Sequence, residues 1–136
     1  MKIYFATSIR GANDAVNNNI LLIGALKKYG AVLTEHFAGI TTGTGGEKNL
    51  SDKQIHDRDL QWIDECDVIV AEVSNPSLGV GYEIRYGIEH GKRILCLKHS
   101  DGKRLSAMIS GSDYIEVEEY SDEEDIKNIL CDFFEE

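Results

Sequence analysis

No apolar run in the chain approaches the ~18 residues needed to cross a bilayer, so no membrane segment is expected. The N-terminus Met1-Lys2-Ile3-Tyr4-Phe5-Ala6-Thr7 does not read as a secretion signal either, because its apolar stretch is short and runs straight into a strand-like pattern. A soluble cytoplasmic protein is expected, or a nuclear one in a eukaryote. Cysteine is scarce. Cys66, Cys96 and Cys131 form an odd set without metal-type spacing, each among apolar neighbours, and read as buried reduced thiols. Positive charge is scarce too: 14 Lys and Arg against 24 Asp and Glu give a net charge of −10, which excludes nucleic-acid polymers as partners but leaves room for one small anion. His36, His56, His90 and His99 lack metal-site spacing, so zinc is not expected. There is no Gly-Lys-Ser/Thr phosphate loop, and Gly79-Val80-Gly81 is no dinucleotide fingerprint because Ile84 stands where the third glycine belongs. Repeats and linkers are missing as well, and 136 residues suit a single domain over residues 1–136.

What is present alternates between short apolar runs and amphipathic stretches. Ile3 to Thr7 reads as a buried strand leading into the turn Ser8-Ile9-Arg10-Gly11. A helix follows from about Asn13 to Tyr29, with Val16, Ile20, Ile23 and Leu26 inward, Leu22 on the flank and Gly30 as a left-handed cap. Ala31 to Glu35 reads as the second strand, and Phe37 to Leu50, rich in Gly and Thr, as a surface loop or lid. Ser51 or Asp52 can cap a helix running to about Cys66, before a third strand from Asp67 to Val73. A helix from about Val80 to His90 ends at Gly91, and Arg93 to Leu97 is the fourth strand. A short helix at Leu105 to Ile109, an edge strand at Tyr114 to Tyr120 and an acidic amphipathic helix close the chain. Such alternation requires crossover connections, so the expected architecture is an α/β three-layer sandwich around a five-stranded, mostly parallel sheet of Rossmann-like or flavodoxin-like type.

The stretch from Ala71 to Glu83 is the first place to look for chemistry. It carries an apolar strand into a tight polar turn and then presents the Glu83 carboxylate inside a helix, where open α/β sheets bind ligands. Asp59 lies on the apolar stripe of Ile55, Trp62, Ile63 and Cys66, and an acid in an inward row is either satisfied by a neighbouring Arg or backbone N–H or lines a cleft. Two carboxylates converging from different helices would push their pKa values apart and supply an acid and a nucleophile. Ser8, Arg10 and Ser77 occupy two strand-to-helix turns and offer two hydroxyls and a guanidinium, which suit a phosphate monoester as well as ordinary capping. His36, past the second strand, could line the same pocket, whereas Tyr82 and Met108 read as core or rim residues.

Five blocks in order resemble one family: Ile3 to Gly11, Val32-Leu33-Thr34-Glu35-His36, Ile55 to Leu60, Pro76-Ser77-Leu78-Gly79-Val80-Gly81-Tyr82-Glu83 and Leu105-Ser106-Ala107-Met108-Ile109. Together they resemble the 2′-deoxynucleoside 5′-phosphate N-hydrolases of the nucleoside 2-deoxyribosyltransferase family. The resemblance implies hydrolysis of the N-glycosidic bond of a deoxynucleoside 5′-monophosphate, releasing free base and 2-deoxyribose 5-phosphate without metal or organic cofactor. It implies Glu83 as nucleophile, Asp59 as the group handling the proton on base or water, and Tyr4 orienting Glu83. Ser8, Arg10 and Ser77 would hold the 5′-phosphate, with Ile9, Gly11, His36, Gly79 and Met108 also lining the substrate site. Ser106 would reach the phosphate from the other subunit of a homodimer. Thr7 stands where mammalian-type members carry Gly, which would set a side chain beside the sugar or phosphate.

Two other readings stay open at this point. The same fold and nucleophile could pass the sugar to another base, as a deoxyribosyltransferase, or accept a ribonucleotide such as a CMP-type substrate. A nucleotide-binding module without turnover would account for Arg10 and the serines, and would leave Asp59 on an apolar stripe unexplained.

Overall fold

The computed structural model describes residues 1–8, 13–34 and 49–135, and for residues 13–16 the backbone alone. Five strands, β1 (Lys2–Thr7), β2 (Ala31–Val32), β3 (Val68–Glu72), β4 (Arg93–His99) and β5 (Ile115–Tyr120), form one sheet in the order β2-β1-β3-β4-β5. Every pairing is parallel, with Ile3 opposite Val68 and Thr7 opposite Glu72 across the central β1–β3 ladder. Parallel neighbours need crossovers, and those here are the helices α1 (Asn13–Leu26), α2 (Asp52–Glu65), α3 (Leu78–Glu89) and α4 (Ala107–Ser110), before the closing α5 (Glu123–Phe134). The strand order reverses between β1 and β3. In sheets of this flavodoxin-like order, that switch point is where a crevice opens at the carboxyl ends of the strands.

Side-chain alternation along the strands divides the core in two. Ile3, Phe5, Val68, Val70, Leu95 and Leu97 face α1 and α5, whereas Tyr4, Ala6, Ile69, Ala71, Ile94 and Cys96 face α2 and α3. Helix α2 starts from a capping box: Ser51 Oγ accepts from the Gln54 N–H and Gln54 Oε1 accepts from the Ser51 N–H. Helix α3 starts at Ser77, whose Oγ accepts from the Val80 N–H, and gives way to Gly91 at φ +74°. α3 lies close on the sheet at Gly87, where a Cβ would fall 2.2 Å from Ile69 Cδ1.

The structure corrects several details of the sequence reading. α1 stops at Leu26, and its inward row holds Asn19, Leu22, Ile23 and Leu26, while Ile20 is exposed. Gly30 does not adopt a left-handed conformation; it is small because a Cβ there would fall 2.3 Å from the Met1 carbonyl oxygen. Strand β2 is only two residues long; beyond it the Leu33 N–H still donates to the Ile3 carbonyl at 2.9 Å, and Thr34 Oγ1 accepts from the Phe5 N–H at 3.0 Å and donates to the Phe5 carbonyl at 2.7 Å. Cys66 and Cys96 are buried, their thiols pushed up to about 11 and about 12 by desolvation, but Cys131 is exposed on the outer side of α5. Among the described residues no helix is long and apolar enough to cross a membrane.

Candidate active site

Tyr4 is fully buried in the middle of β1 and points to the α2–α3 face. Its hydroxyl donates to Glu83 Oε2, reaching from strand to helix at the switch point. Glu83 sits in the second turn of α3, three residues after the buried Val80 and one before the buried Ile84, and is itself half-buried at the boundary of the core. Desolvation pushes its carboxyl up to about 7, with a further push from the nearby Asp59 charge and an opposing pull from the Tyr4 hydrogen bond. The Tyr4 hydroxyl is raised in turn by burial and by the charges of Glu83 and Asp59, so it stays protonated and donates.

Asp59 comes from the adjacent helix. Arg58 Nε and Nη2 lie 3.1 and 2.9 Å from Asp59 Oδ1, and the guanidinium stacks over the Trp62 ring at 4.7 Å. One alternative offered for an acid on the apolar stripe is thus seen, pairing with an Arg, and the Asp59 charge also acts on Tyr4 and Glu83. The two helices are held in register behind the site. Tyr86 Oη donates to Asp64 Oδ1 at 2.8 Å, and Lys92 Nζ donates to the Asp64 and Cys66 carbonyls at 3.0 and 2.9 Å, which satisfies the open C-terminus of α2. At the mouth, His56 Nε2 and Tyr82 Oη are 3.0 Å apart, closing α2 onto α3; Tyr82 is a rim residue.

The remaining site candidates divide into three groups. Ser8 follows β1 directly and is half-buried, and Ser77 caps α3, so both stand at the carboxyl edge of β1 and β3. Ile9, Arg10, Gly11 and His36 lie outside the described residues, as do Glu35 and residues 37–48 of the expected loop. Ser106 and Met108 are not with the acid pair: they line a groove of about 610 Å³ on the other side of α3, together with Ser77, Leu78, Arg104 and Ile109. Leu78 is 96% exposed and Met108 83% exposed there. Gly79 is exposed in the first turn of α3, where a Cβ would fall 3.9 Å from Ser77 Oγ.

Thr7 overturns one expectation. It is buried, and its Oγ1 donates to Asn19 Oδ1 at 3.0 Å on the α1 face of the sheet, so it adds packing behind the site and not bulk beside a ligand. Sequence reasoning also passed over Arg58, quoted within a motif but given no role, although an Arg adjacent to an inward acid was the available signal. Glu72 was read only as part of a strand, yet it is a buried carboxylate at the same sheet edge.

A site of this geometry can hold one anionic and one neutral carboxyl beside a buried phenol, at the opening of two strand-to-helix turns. Residues 3–125 match the sequence profile of the family described as Nucleoside 2-deoxyribosyltransferase. A zebrafish (Danio rerio) protein named 5-hydroxymethyl-dUMP N-hydrolase is 47% identical over 139 residues, covering 99% of this chain and 96% of that protein. Among solved structures, a CMP N-glycosidase from Clostridium botulinum superposes with a TM-score of 0.66 at 18% identity, covering 98% of this chain and 99% of its own. A 2-deoxyribosyltransferase from Bacillus psychrosaccharolyticus also gives 0.66, at 17% identity over 94% of this chain and 91% of its own. The last two likenesses speak for the fold alone, whereas the profile and the zebrafish relative span nearly every residue, and on that ground the chain belongs to the nucleoside 2-deoxyribosyltransferase family.

Proposed function

We propose that this protein is an N-glycosidase that hydrolyses 2′-deoxynucleoside 5′-monophosphates to free base and 2-deoxyribose 5-phosphate. The observation that carries this reading is the Tyr4–Glu83 hydrogen bond with Asp59 close enough to shift both groups. Support for the substrate class comes from the name of the zebrafish relative. Below about pH 7 the two carboxyls hold one proton between them, since ionising both would set like charges together in a part-dry site. With substrate bound, that proton resides on Asp59, which delivers it to the leaving base. Glu83, left anionic, attacks the anomeric carbon as the N-glycosidic bond breaks, forming a glycosyl ester. Asp59, now a carboxylate, takes a proton from water as that water displaces the Glu83 carboxylate, which restores the starting charge of the pair.

Tyr4 acts by donating to the Glu83 oxygen that does not attack, which fixes the other toward the sugar. Ser8, Arg10 and Ser77 hold the 5′-phosphate, and this remote anchor converts binding energy into orientation of the sugar. Ser106 is supplied by a second copy of the chain, and the groove with exposed Leu78 and Met108 is the surface that the second copy covers. His36 and Gly79, with Met108 of the second copy, complete the walls around sugar and base.

The test is incubation of the protein with a panel of deoxynucleoside monophosphates, 5-hydroxymethyl-dUMP included, with chromatographic detection of free base and 2-deoxyribose 5-phosphate. Intact substrate throughout, from folded protein, would refute the activity. Adding a second free base distinguishes hydrolysis from transfer, because only transfer makes a new nucleotide.

A further inference from the structure

Glu72 is the last residue of β3 and is only 5% exposed, on the α1–α5 face of the sheet and so on the side away from Tyr4 and Glu83. Burying a carboxylate costs free energy unless its lone pairs are used, and an apolar residue would fill this place at lower cost. Here the lone pairs are used. Glu72 Oε1 accepts from the Ser74 N–H at 2.6 Å, and Oε2 accepts from the Tyr120 hydroxyl at the end of β5. The Ser74 hydroxyl oxygen accepts from the His99 N–H at 2.8 Å, and the His99 ring meets Tyr120 edge-on at 5.1 Å. Val73 N–H donates to the Leu97 carbonyl at 2.9 Å, and the turn after β4 closes so tightly on Ser74 that a Cβ on Gly102 would fall 3.3 Å from Ser74 Cβ.

The turn thus tied to β4 and β5 is the one that delivers Ser77 and, two helical turns on, Glu83. Between Ser74 and the helix cap stand only Asn75 and Pro76, so displacement at Ser74 is passed into α3 with little to absorb it. We infer that Glu72 is a positioning residue: its carboxylate clamps Ser74 to Tyr120 and thereby sets where α3 places Glu83 against Tyr4, an inference that rests on the reaction proposed above. It touches neither Tyr4 nor Glu83, and it holds the segment that carries Glu83.

The experiment compares Glu72→Ala, Glu72→Gln and Tyr120→Phe with the wild type in kcat, KM and melting temperature, at a temperature well below every melt. Glu72→Ala removes both acceptors, so kcat falls about tenfold or more, as a misplacement of a fraction of an ångström at the reacting centre would produce. Glu72→Gln recovers to within about threefold of wild type, because its amide oxygen still accepts from Ser74 and its NH₂ can donate to the Tyr120 oxygen. Tyr120→Phe, which keeps the Ser74 contact, loses about threefold and serves in place of Glu72→Ala if that variant does not fold. Amide hydrogen exchange over residues 73–81 on the same proteins reads the clamp without turnover: faster exchange at the start of α3 in Glu72→Ala or Tyr120→Phe, restored in Glu72→Gln, is the expected pattern. Wild-type kcat and wild-type exchange in a folded Glu72→Ala or Tyr120→Phe would overturn the inference, as would Glu72→Gln being as impaired as Glu72→Ala. An inactive wild type refutes the proposed reaction instead, and the exchange pattern still decides the clamp.

Discussion

The sheet carries two tyrosine–glutamate hydrogen bonds, one on each face, and their surroundings set their roles apart. Tyr4–Glu83 lies on the α2–α3 face, where burial raises the Glu83 carboxyl to about 7, the Tyr4 hydrogen bond pulls it back and the charge of a second acid, Asp59, adds a smaller push. Tyr120–Glu72 faces the apolar packing of α1 and α5, and its second oxygen is spent on a backbone N–H. The same two residue types therefore make a phenol shared with two acids where a second carboxylate stands beside them, and a fastening where each carboxylate oxygen accepts from a donor. What sets the pairs apart is the third partner, an acid in one and a backbone N–H in the other.

The comparison breaks most visibly on removing one carboxylate charge at each pair. Glu83→Gln is expected to lower kcat by roughly 1,000-fold or more while substrate Kd, read by calorimetry, stays within about tenfold. Equal losses in Glu83→Gln and Glu72→Gln would show that the two pairs do the same job.

Asp59→Asn comes next, with a loss of on the order of 100-fold or more in kcat, since it removes the proton carrier. The pH profile sharpens this. If the singly protonated pair is the working form, kcat/KM of the wild type falls above about pH 7, by about tenfold per pH unit, as the last proton leaves. A profile that instead rises through pH 7 would mean that Asp59 need not carry a proton to the base.

Tyr4→Phe and Tyr120→Phe separate the pairs by pH dependence. Because the Tyr4 hydrogen bond lowers the Glu83 pKa, Tyr4→Phe shifts the falling limb to higher pH and costs about tenfold in kcat, whereas Tyr120→Phe leaves the limb in place. The last effect is on stability. Glu83 is raised on folding, so the stability it contributes is present in full below its unfolded value of about 4.5 and is lost as pH rises through about 7. Glu83→Gln removes this dependence, and urea unfolding should show it gaining on the wild type between pH 5 and pH 8 by at most about 3 kcal/mol.

Much of this architecture was legible in the order of apolar runs. β1, β3 and β4 are buried on both faces, so their runs are continuous, and the Ser51 capping signal marks a helix start that the structure bears out, whereas the helix expected from about Val80 begins at Leu78, capped by Ser77. The acid pair was legible because an Asp on an apolar stripe conflicts with packing unless something answers it, and both Arg58 and the cleft do. Errors arose where local pattern and tertiary contact disagree. Ile20 fits helical spacing, yet Asn19 takes the inward place because Thr7 offers it a hydrogen bond across α1 and β1. Gly30 looks like a cap, but its smallness answers a backbone carbonyl 29 residues earlier in the chain. Cys131 has apolar neighbours in sequence and still points outward, since α5 buries Leu130 and Phe133 instead. Glu72 gave no signal, because a lone acid at a strand's end looks like the start of a surface turn.

Gly87 lies one helical turn after Glu83 on the same side of α3, and a Cβ there would fall 2.2 Å from Cδ1 of the fully buried Ile69. The hydrogen atom at that position works as a depth gauge. It lets the helix settle low enough for a two-carbon arm to reach a phenol rooted in the floor, and a single methyl there must be met by a shift of the Ile69 side chain or of the helix that carries the acid.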